Sequence, residues 1–467
     1  MSRHIIGNDG EGKVTDMKRK AALAAIFLAI AVTFSGCSFA GLDAGTLMRA
    51  PKPTGTNEAD IQNLLDQTAG GQFTLKYPAE GDNRSAILEH GNAGNGNEEA
   101  VAFYQKNDEA TTTEAVFMRK SGKTWKIVGT FSNQASQVDR VCFGDLNGDG
   151  HDETIVGWGS SLNNNSSICV YYEQGGKMNE LKLNQSYSEM EVMDFMGDGR
   201  DEIFTACVTA GDQPAVAHLI RVTGSNMEMV GTAPLDTGVT RYASIQTGLI
   251  DDRQKGVVLD GIKASNTMVT EVFYWNKKKK ALAAPFYDAA SKTAKSTTRS
   301  TSVISKDING DKIIEIPIVT LMPGYTGTTA DEADYLTTWQ RYDTASNKFV
   351  RVMSMVVNYA DGYWFSVPDM WRGKITTKLD PSTRTFSFYQ WMPAKNSAGG
   401  VPGPQLLKIE AFTKKEWDSR SDTSGFFELY AQDSLVFAAS RPSPANALSL
   451  TEQEVKEAFQ PIEVEES

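Results

Sequence analysis

A nine-residue acidic loop recurs along the chain with the same placement of oxygen donors. Its fullest copy begins at Asp145, and related copies begin at Asp194 and Asp307. Side-chain oxygens at alternating positions let one tight turn surround a hard cation such as calcium, and the intervening glycines supply the backbone freedom that the turn needs. Each copy lies between two short apolar runs. The repeated unit is therefore predicted to be strand, cation loop, strand.

The predicted calcium ligands are oxygen donors at the first, third, fifth, seventh and ninth positions of these loops. They are Asp145, Asn147, Asp149, the His151 carbonyl and Glu153 in the first loop; Asp194, Asp198 and Glu202 in the second; and Asp307, Asn309, Asp311 and Glu315 in the third. Met196 occupies the third position of the second loop, and its thioether suits a hard cation poorly. Lys312 replaces a glycine in the third loop. The alternative to structural calcium is an Asx-rich turn that holds itself together without metal.

Two further loops, near Gly91 and Asp251, keep the spacing but have lost most of the donors, and we predict that they are metal-free. The five loops begin about 50 to 57 residues apart, a spacing typical of blade-like repeats. The clearest unit contains four strand-like runs: Val138 to Phe143, Glu153 to Gly157, Ile168 to Tyr172 and Glu180 to Leu183. Four antiparallel strands per unit, repeated radially, are typical of a β-propeller, whereas the coils of a parallel β-solenoid are shorter.

These loops and their spacing resemble FG-GAP or VCBS repeats, the calcium-loop propeller repeats of integrin heads and many secreted bacterial proteins. The resemblance covers roughly residues 72 to 355. It implies a mostly β fold with a propeller-like array of about five four-stranded blades. Integrin heads have seven such units, so the five units of this sequence are compatible with either a closed ring or an open arc.

The N-terminus predicts export. Basic residues at Lys18, Arg19 and Lys20 precede an apolar run from Ala21 to Phe34, which is too short to span a bilayer comfortably and is typical of a secretory signal peptide. The following Ser35, Gly36 and Cys37, after Phe34, resemble the lipobox of bacterial lipoproteins. That resemblance implies cleavage before Cys37 and a lipid on its thiol, which would anchor the protein outside the cytoplasm. Ordinary signal cleavage, with Cys37 as an incidental thiol, is the alternative.

These features divide the chain into four predicted segments. Residues 1–36 are the signal peptide, 37–57 a lipidated tether, 58–357 the propeller-like domain with a short N-terminal helix (Glu58 to Gln67), and 358–467 a C-terminal α+β domain. The C-terminal segment is rich in aromatic residues: Tyr363, Trp364, Phe365, Trp371, Phe386, Phe388, Tyr389 and Trp391. They fit either a sugar-stacking platform or a buried core, and alternation along strands favours the core.

Charge and motifs exclude several functions. The formal net charge is −12, and removal of residues 1–36 makes it more negative, so nucleic acid is not an expected partner. The sequence has no GxSxG, HExxH or P-loop motif. Cys142, Cys169 and Cys207 lie in apolar runs and are predicted to be free thiols. The run from Lys277 to Lys280 fits a solvated hairpin turn better than a site for anionic polymers.

We therefore expect a non-enzymatic, lipid-anchored binding or scaffold protein of the bacterial cell surface, with a protein or glycan partner. Propellers present many loops on one face, which suits recognition without chemistry. One alternative is an extracytoplasmic enzyme that processes polysaccharide or the envelope. Another is a structural lipoprotein of an envelope assembly.

Overall fold

The computed structural model describes residues 56–91, 98–109, 111–159, 167–211, 213–265, 267–330, 332–395, 399–420, 425–432, 434–442 and 444–462. The chain divides into two units, Met1–Thr68 and Ala69–Ser467. The first unit contributes helix α1 (Thr56–Thr68), which matches the predicted helix. The predictions for the signal peptide and Cys37 lie outside the described residues. No described helix is both long and apolar enough to cross a membrane.

The second unit is built mostly from β-strands. Its first sheet contains β1 (Phe73–Lys76), β2 (Ile87–Gly91), β3 (Glu98–Lys106), β4 (Thr113–Ser121) and β5 (Thr124–Asn133). Strands β3, β4 and β5 form a meander, and β1 and β2 pair with different halves of β3. The apolar run at Phe73 therefore belongs to the first sheet.

Three four-stranded antiparallel sheets follow, each with its strands in sequence order. The second sheet has β6 (Gln137–Gly144), β7 (Glu153–Gly159), β8 (Ser167–Gln174) and β9 (Lys177–Leu183). The third has β10 (Glu189–Met193), β11 (Glu202–Cys207), β12 (Val216–Thr223) and β13 (Asn226–Pro234). The fourth has β14 (Val239–Leu249), β15 (Lys255–Lys263), β16 (Met268–Asn276) and β17 (Ala281–Ala283). The four-stranded unit predicted around the first loop is confirmed, and Lys277 to Lys280 form the predicted turn between β16 and β17.

Two five-stranded sheets complete the fold. The fifth sheet has β18 (Ile316–Leu321), β19 (Tyr335–Asp343), β20 (Lys348–Asn358) and β21 (Tyr363–Ser366). Its fifth strand is β27 (Phe459–Pro461), near the C-terminus, which pairs with β21. The sixth sheet has β22 (Ile375–Asp380), β23 (Thr385–Pro393), β24 (Gly400–Thr413), β25 (Phe426–Gln432) and β26 (Leu435–Ser440). Because β20 pairs with β21, the predicted domain boundary between residues 357 and 358 falls inside the fifth sheet.

Short helices connect these strands. Two 3₁₀ turns span Lys295–Thr297 and Asp369–Trp371. Helix α2 (Lys414–Ser419) and helix α3 (Glu452–Ala458) each begin with a capping box, in which a threonine and a glutamate three residues later exchange hydrogen bonds. Helix α3 lies close to the C-terminal end of the described residues.

Consecutive sheets pack against one another with their strands in matching order. The first strands β6, β10 and β14 are neighbours, and the last strands of the first four sheets (β5, β9, β13 and β17) likewise lie side by side. Apolar side chains fill the space between the sheets: the ring centroids of Phe103 and Trp158 are 5.8 Å apart, and those of Phe204 and Phe273 are 5.5 Å apart. None of the sheets formed by the described residues closes into a barrel or a propeller.

The aromatic residues near the C-terminus are mostly core. Tyr363, Phe365, Trp371, Phe386 and Phe388 are all at most 2% exposed and belong to one apolar cluster. The indole of Trp371 donates a hydrogen bond to a backbone carbonyl at 2.6 Å, so its polar atom is satisfied inside the core. The core interpretation is confirmed for these five, whereas the other three aromatic side chains of the set are partly exposed.

Candidate functional site

Three of the acidic loops occupy the same connection, between the first and second strands of the second, third and fourth sheets. The loop at Asp145 joins β6 to β7, the loop at Asp194 joins β10 to β11, and the loop at Asp251 joins β14 to β15. The loop at Asp307 directly precedes β18 and is closed by an antiparallel bridge across its base. Of the loop near Gly91, residues 92–97 lie outside the described part of the chain.

The first-position aspartate holds each turn through backbone N–H groups. Asp145 accepts from the N–H groups three, four and five residues later at 2.7, 3.1 and 2.9 Å. Asp194 repeats this pattern at 2.6, 3.1 and 3.1 Å, and Asp307 at 2.7, 3.1 and 2.8 Å. In the third loop these bonds lower the pKa of Asp307, although desolvation opposes them. The three loops therefore share one backbone geometry.

The ninth-position glutamate turns inward in all three loops. One carboxylate oxygen of Glu153 accepts from the Leu146 N–H at 2.8 Å. Glu202 accepts from the equivalent N–H at 3.1 Å, and Glu315 does so at 3.0 Å. All three glutamates are buried. What differs among the loops is the partner of the second carboxylate oxygen.

In the third loop, the second oxygen of the glutamate has no hydrogen-bond partner. Glu315 is fully buried and its Oε1 lacks a donor among the described residues. Carboxylate oxygens of Asp307, Asp311 and Glu315 lie within 4.8 Å of one another, and within the described ranges no other group of three acidic, histidine or cysteine side chains is brought so close. Desolvation and the charge of Asp311 raise the pKa of Glu315. A divalent cation would neutralise this cluster.

In the second loop the second glutamate oxygen, Glu202 Oε1, likewise receives no hydrogen bond from described residues, but an arginine lies close to it. The Arg221 guanidinium, from β12, contacts Asp198 Oδ2 at 2.6 Å and Glu202 Oε1 at 3.2 Å. It also lies 2.8 Å from the Met196 sulfur. Two of the three predicted ligands in this loop are therefore paired with an internal cation.

In the first loop, the side-chain amide of Asn147 bonds to the second oxygen of the glutamate. Its Nδ2 donates to Glu153 Oε1 at 2.6 Å and to Asp149 Oδ2 at 3.0 Å. Burial, with the nearby Asp149 charge, raises the pKa of Glu153 to about 8. His151 donates its backbone N–H to Asp149 at 2.9 Å. For a cation to bind, the amide must rotate so that its oxygen replaces these donors.

The eighth position of the loops connects neighbouring units, which the sequence reasoning missed. Asp201 accepts from the Asp145 N–H at 3.1 Å and donates its own N–H to the Asp145 carbonyl at 2.8 Å. Asp152 lies 2.8 Å from the His90 imidazole of the first sheet. The sequence has an aspartate at the eighth position of the first two loops, which could have indicated these contacts. Each of these loops is thereby tied to the preceding unit.

The loop at Asp251 uses its carboxylate differently. Asp251 accepts from the backbone of Arg253 and Gln254 at 2.9 and 2.8 Å, and from the Thr344 hydroxyl and N–H at 2.5 and 3.0 Å. Although desolvation opposes it, the bonds from Thr344 contribute to a lowered pKa of Asp251. This loop is a hydrogen-bonded turn of the fourth sheet, and its bonds to Thr344 attach it to the fifth sheet.

Acidic residues outside the loops converge in a groove of about 510 Å³ along the first strands. Glu189 and Glu191 of β10 flank the buried Arg140 of β6, at 2.7 and 3.3 Å. Burial raises the pKa of Glu191 to about 7 even though Arg140 opposes the shift. Glu80 and Asp82 lie on the groove wall. Sequence reasoning missed this cluster because its members come from separate units.

The cysteines and histidines do not form a second centre in the described residues. Cys142, Cys169 and Cys207 are free thiols, as predicted. Burial raises the pKa of Cys142 to about 12, so its thiolate is not populated near neutral pH. His218 lies in β12, and burial lowers its pKa.

Comparison with known proteins leaves the family open. No protein-family model and no curated protein matches the sequence. Similar solved structures include the exotype rhamnogalacturonan lyase YesX (9% identity, 78% of this chain and 91% of that chain covered, TM-score 0.30). They also include AofleA from Arthrobotrys oligospora (10%, 72% and 89%, 0.27) and a putative exo-beta-1,3-galactanase from Bifidobacterium bifidum (11%, 62% and 94%, 0.25). At these TM-scores the likenesses carry no argument about fold or function.

Proposed function

We propose that this chain is a lipid-anchored, extracytoplasmic protein of the bacterial cell surface, whose calcium-stabilised sheets form a propeller-like array that binds a protein or glycan partner. The observation that carries the proposal is one loop geometry shared by the second, third and fifth sheets, in an array whose consecutive sheets pack against one another. Packing of first strand beside first strand and last strand beside last strand is the arrangement expected of neighbouring propeller blades. Calcium has a structural role here, and Cys37 supplies the membrane anchor.

Calcium is supported best at the third loop. Three carboxylates converge there, and one buried oxygen of Glu315 has no hydrogen bond from the described residues. An unpaired buried carboxylate costs several kcal/mol unless it is protonated or neutralised. Bound calcium would therefore stabilise the fifth sheet against its neighbour.

Cell fractionation and capture test this proposal together. Cys37→Ser should move the full-length protein from the membrane fraction to the soluble fraction, whereas Cys207→Ser, a matched control on a partly exposed thiol, should not. The purified full-length protein should capture a cell-surface protein or glycan, and its melting temperature should fall in EGTA. Equal membrane association of the Cys37→Ser variant would refute the anchor, failure to capture any partner would refute the binding role, and a melting temperature unchanged by EGTA would refute the role of calcium.

The acidic groove favours a second candidate, an extracytoplasmic enzyme that processes envelope polysaccharide. Glu191 has a pKa near neutrality, as general acid–base catalysis requires, and Glu189 lies two residues away on the same strand. If the groove is catalytic, the protein should release reducing ends from envelope polysaccharide and Glu191→Gln should abolish this. Glu228→Gln, on the exposed face of β13, should have no effect. Absence of activity in the unaltered protein would exclude this candidate.

A further inference from the structure

A cavity of about 410 Å³ lies between the fifth and sixth sheets, away from the acidic loops. Its walls come from β19, β20, β22 and β23, and from the loop at residues 300–303. Ligand sites in proteins usually measure roughly 300–1,000 Å³ and combine apolar surface with a few converging polar groups. This cavity has that size and composition.

The polar groups of the cavity are almost all uncharged. Hydroxyl-bearing side chains dominate, including Ser300, Thr301, Ser302 and Tyr359, and no lysine or arginine lines the cavity among the described residues. Asp334 is the one carboxylate in the described wall. Such a wall does not attract phosphates or nucleic acid, which require cationic groups. It suits a neutral ligand that is rich in hydroxyl groups.

One polar atom of this wall is open to the cavity and has no partner in the described structure. Asp334 accepts from Tyr325 at 2.9 Å and from Thr377 at 2.7 Å, and both bonds use Oδ2. Asp334 Oδ1 therefore receives no hydrogen bond from described residues, and it is not one of the atoms that are sealed from solvent without a partner. A ligand hydroxyl in the cavity can donate to this oxygen.

An aromatic side chain stands at the same cavity. Tyr359, at the turn after β20, is 71% exposed, the largest exposure of any large hydrophobic residue in the described chain. An exposed ring beside hydroxyl groups and an unengaged carboxylate oxygen can pack against the apolar C–H face of a sugar while its hydroxyls hydrogen-bond to the wall.

We infer that this cavity binds a neutral carbohydrate ring, with Asp334 Oδ1 accepting from its hydroxyl groups and Tyr359 packing against its face. The inference rests on the proposed function and selects glycan over protein as the partner. Because the cavity is separate from the cation loops, sugar binding should persist in EGTA.

The test is ligand-observed NMR and calorimetry on the full-length protein, with a panel of neutral hexoses and N-acetylhexosamines. At least one sugar should bind, and Tyr359→Ala should weaken its affinity roughly two- to tenfold. Tyr77→Ala, which alters another exposed tyrosine, should leave the affinity unchanged. Failure of every sugar to bind, or equal binding by Tyr359→Ala, would overturn the inference.

Asp334→Asn separates ligand binding from fold stability. The amide oxygen can still accept from Tyr325 and Thr377, while an N–H donor replaces the Oδ1 acceptor, so the sugar-free protein should keep its melting temperature while the sugar affinity falls. Unchanged affinity would show that the sugar binds elsewhere. If these variants alter sugar binding but no surface partner is captured, the proposed function fails and the cavity assignment stands. If both variants capture the surface partner as well as the unaltered protein does, the cavity assignment fails and the proposed function stands.

Discussion

The second and third acidic loops have the same turn and the same strand pairing, yet only the buried glutamate of the second loop has an ion-pair partner among the described residues. Glu202 directly precedes Ile203, which pairs with Ile220, and Arg221 follows; Glu315 likewise precedes Ile316, which pairs with Gln340, and Arg341 follows. An arginine thus occupies the same sheet position in both units. Arg221 reaches into its own loop, whereas Arg341 pairs with Asp252 of the preceding unit at 2.7 Å.

This difference indicates that the geometry of the repeated turn does not depend on which group balances the charge of its buried glutamate. Bonds from backbone N–H groups to the first-position aspartate hold the turn in both loops. What must still be balanced is the buried ninth-position carboxylate, because desolvation of an unpaired charge is costly. A guanidinium balances it in the second loop. In the third loop no cationic side chain of the described chain forms an ion pair with Glu315, and one of its oxygens has no hydrogen bond, which is the condition that favours calcium.

The largest expected effect comes from removal of the internal cation. Arg221→Ala leaves Glu202 buried without its ionic partner, and breaking such a pair typically costs about 3–5 kcal/mol. Chemical denaturation should show this loss with or without calcium. Arg341→Ala is the matched control, because its pair with Asp252 is exposed and such pairs contribute about 0–1 kcal/mol. Equal losses for the two variants would erase the distinction between the loops.

Calcium removal should give the next largest effect. A single site saturated at 100 times its Kd stabilises a fold by about 2.7 kcal/mol, so EGTA should lower the melting temperature of the unaltered protein. Asp311→Ala should abolish most of that response, since Asp311 belongs to the converging group of the third loop. Asp198→Ala, at the same position of the second loop, should leave the response intact. A melting temperature that is insensitive to EGTA would remove calcium from the third loop.

Neutralising the ninth position should have opposite signs in the two loops. In calcium-free buffer Glu315→Gln removes an uncompensated buried charge while an amide oxygen can still accept from Ile308, so stability should rise by about 1–3 kcal/mol. Glu202→Gln instead weakens the contact with Arg221 and should lower stability. Urea denaturation of both variants without calcium measures the two signs. The same sign in both would contradict the assigned cations.

The sequence predicts the parts of this arrangement that are local. Alternating apolar residues and glycine-rich turns indicate the four strands of each unit, and nine consecutive residues contain every donor of one loop. Arg221 could not be assigned in the same way, because its contact with Glu202 depends on the register between β11 and β12. The groove at Arg140 also required the packing of strands from different units. Met196, which is a poor calcium ligand, was the one local sign that the second loop differs.

The smallest expected effect concerns the backbone of the third loop. Lys312 has φ 71°, a left-handed conformation that glycine adopts more readily, and Gly150 occupies the same position of the first loop with φ 84°. Lys312→Gly should stabilise the protein by about 0.5–1 kcal/mol if relief of backbone strain exceeds the added entropy of the unfolded chain.

The reciprocal substitution tests whether strain is the cause. A Cβ at Gly150 meets no atom within 4 Å, so Gly150→Lys introduces the left-handed strain without a steric clash. We expect a loss comparable to the gain from Lys312→Gly, measured by chemical denaturation in EGTA so that calcium does not contribute. If Gly150→Lys is neutral, the loop tolerates a side chain in this conformation. The lysine of the third loop then does not distinguish it from the first, and the partner of the ninth-position glutamate remains the feature that does.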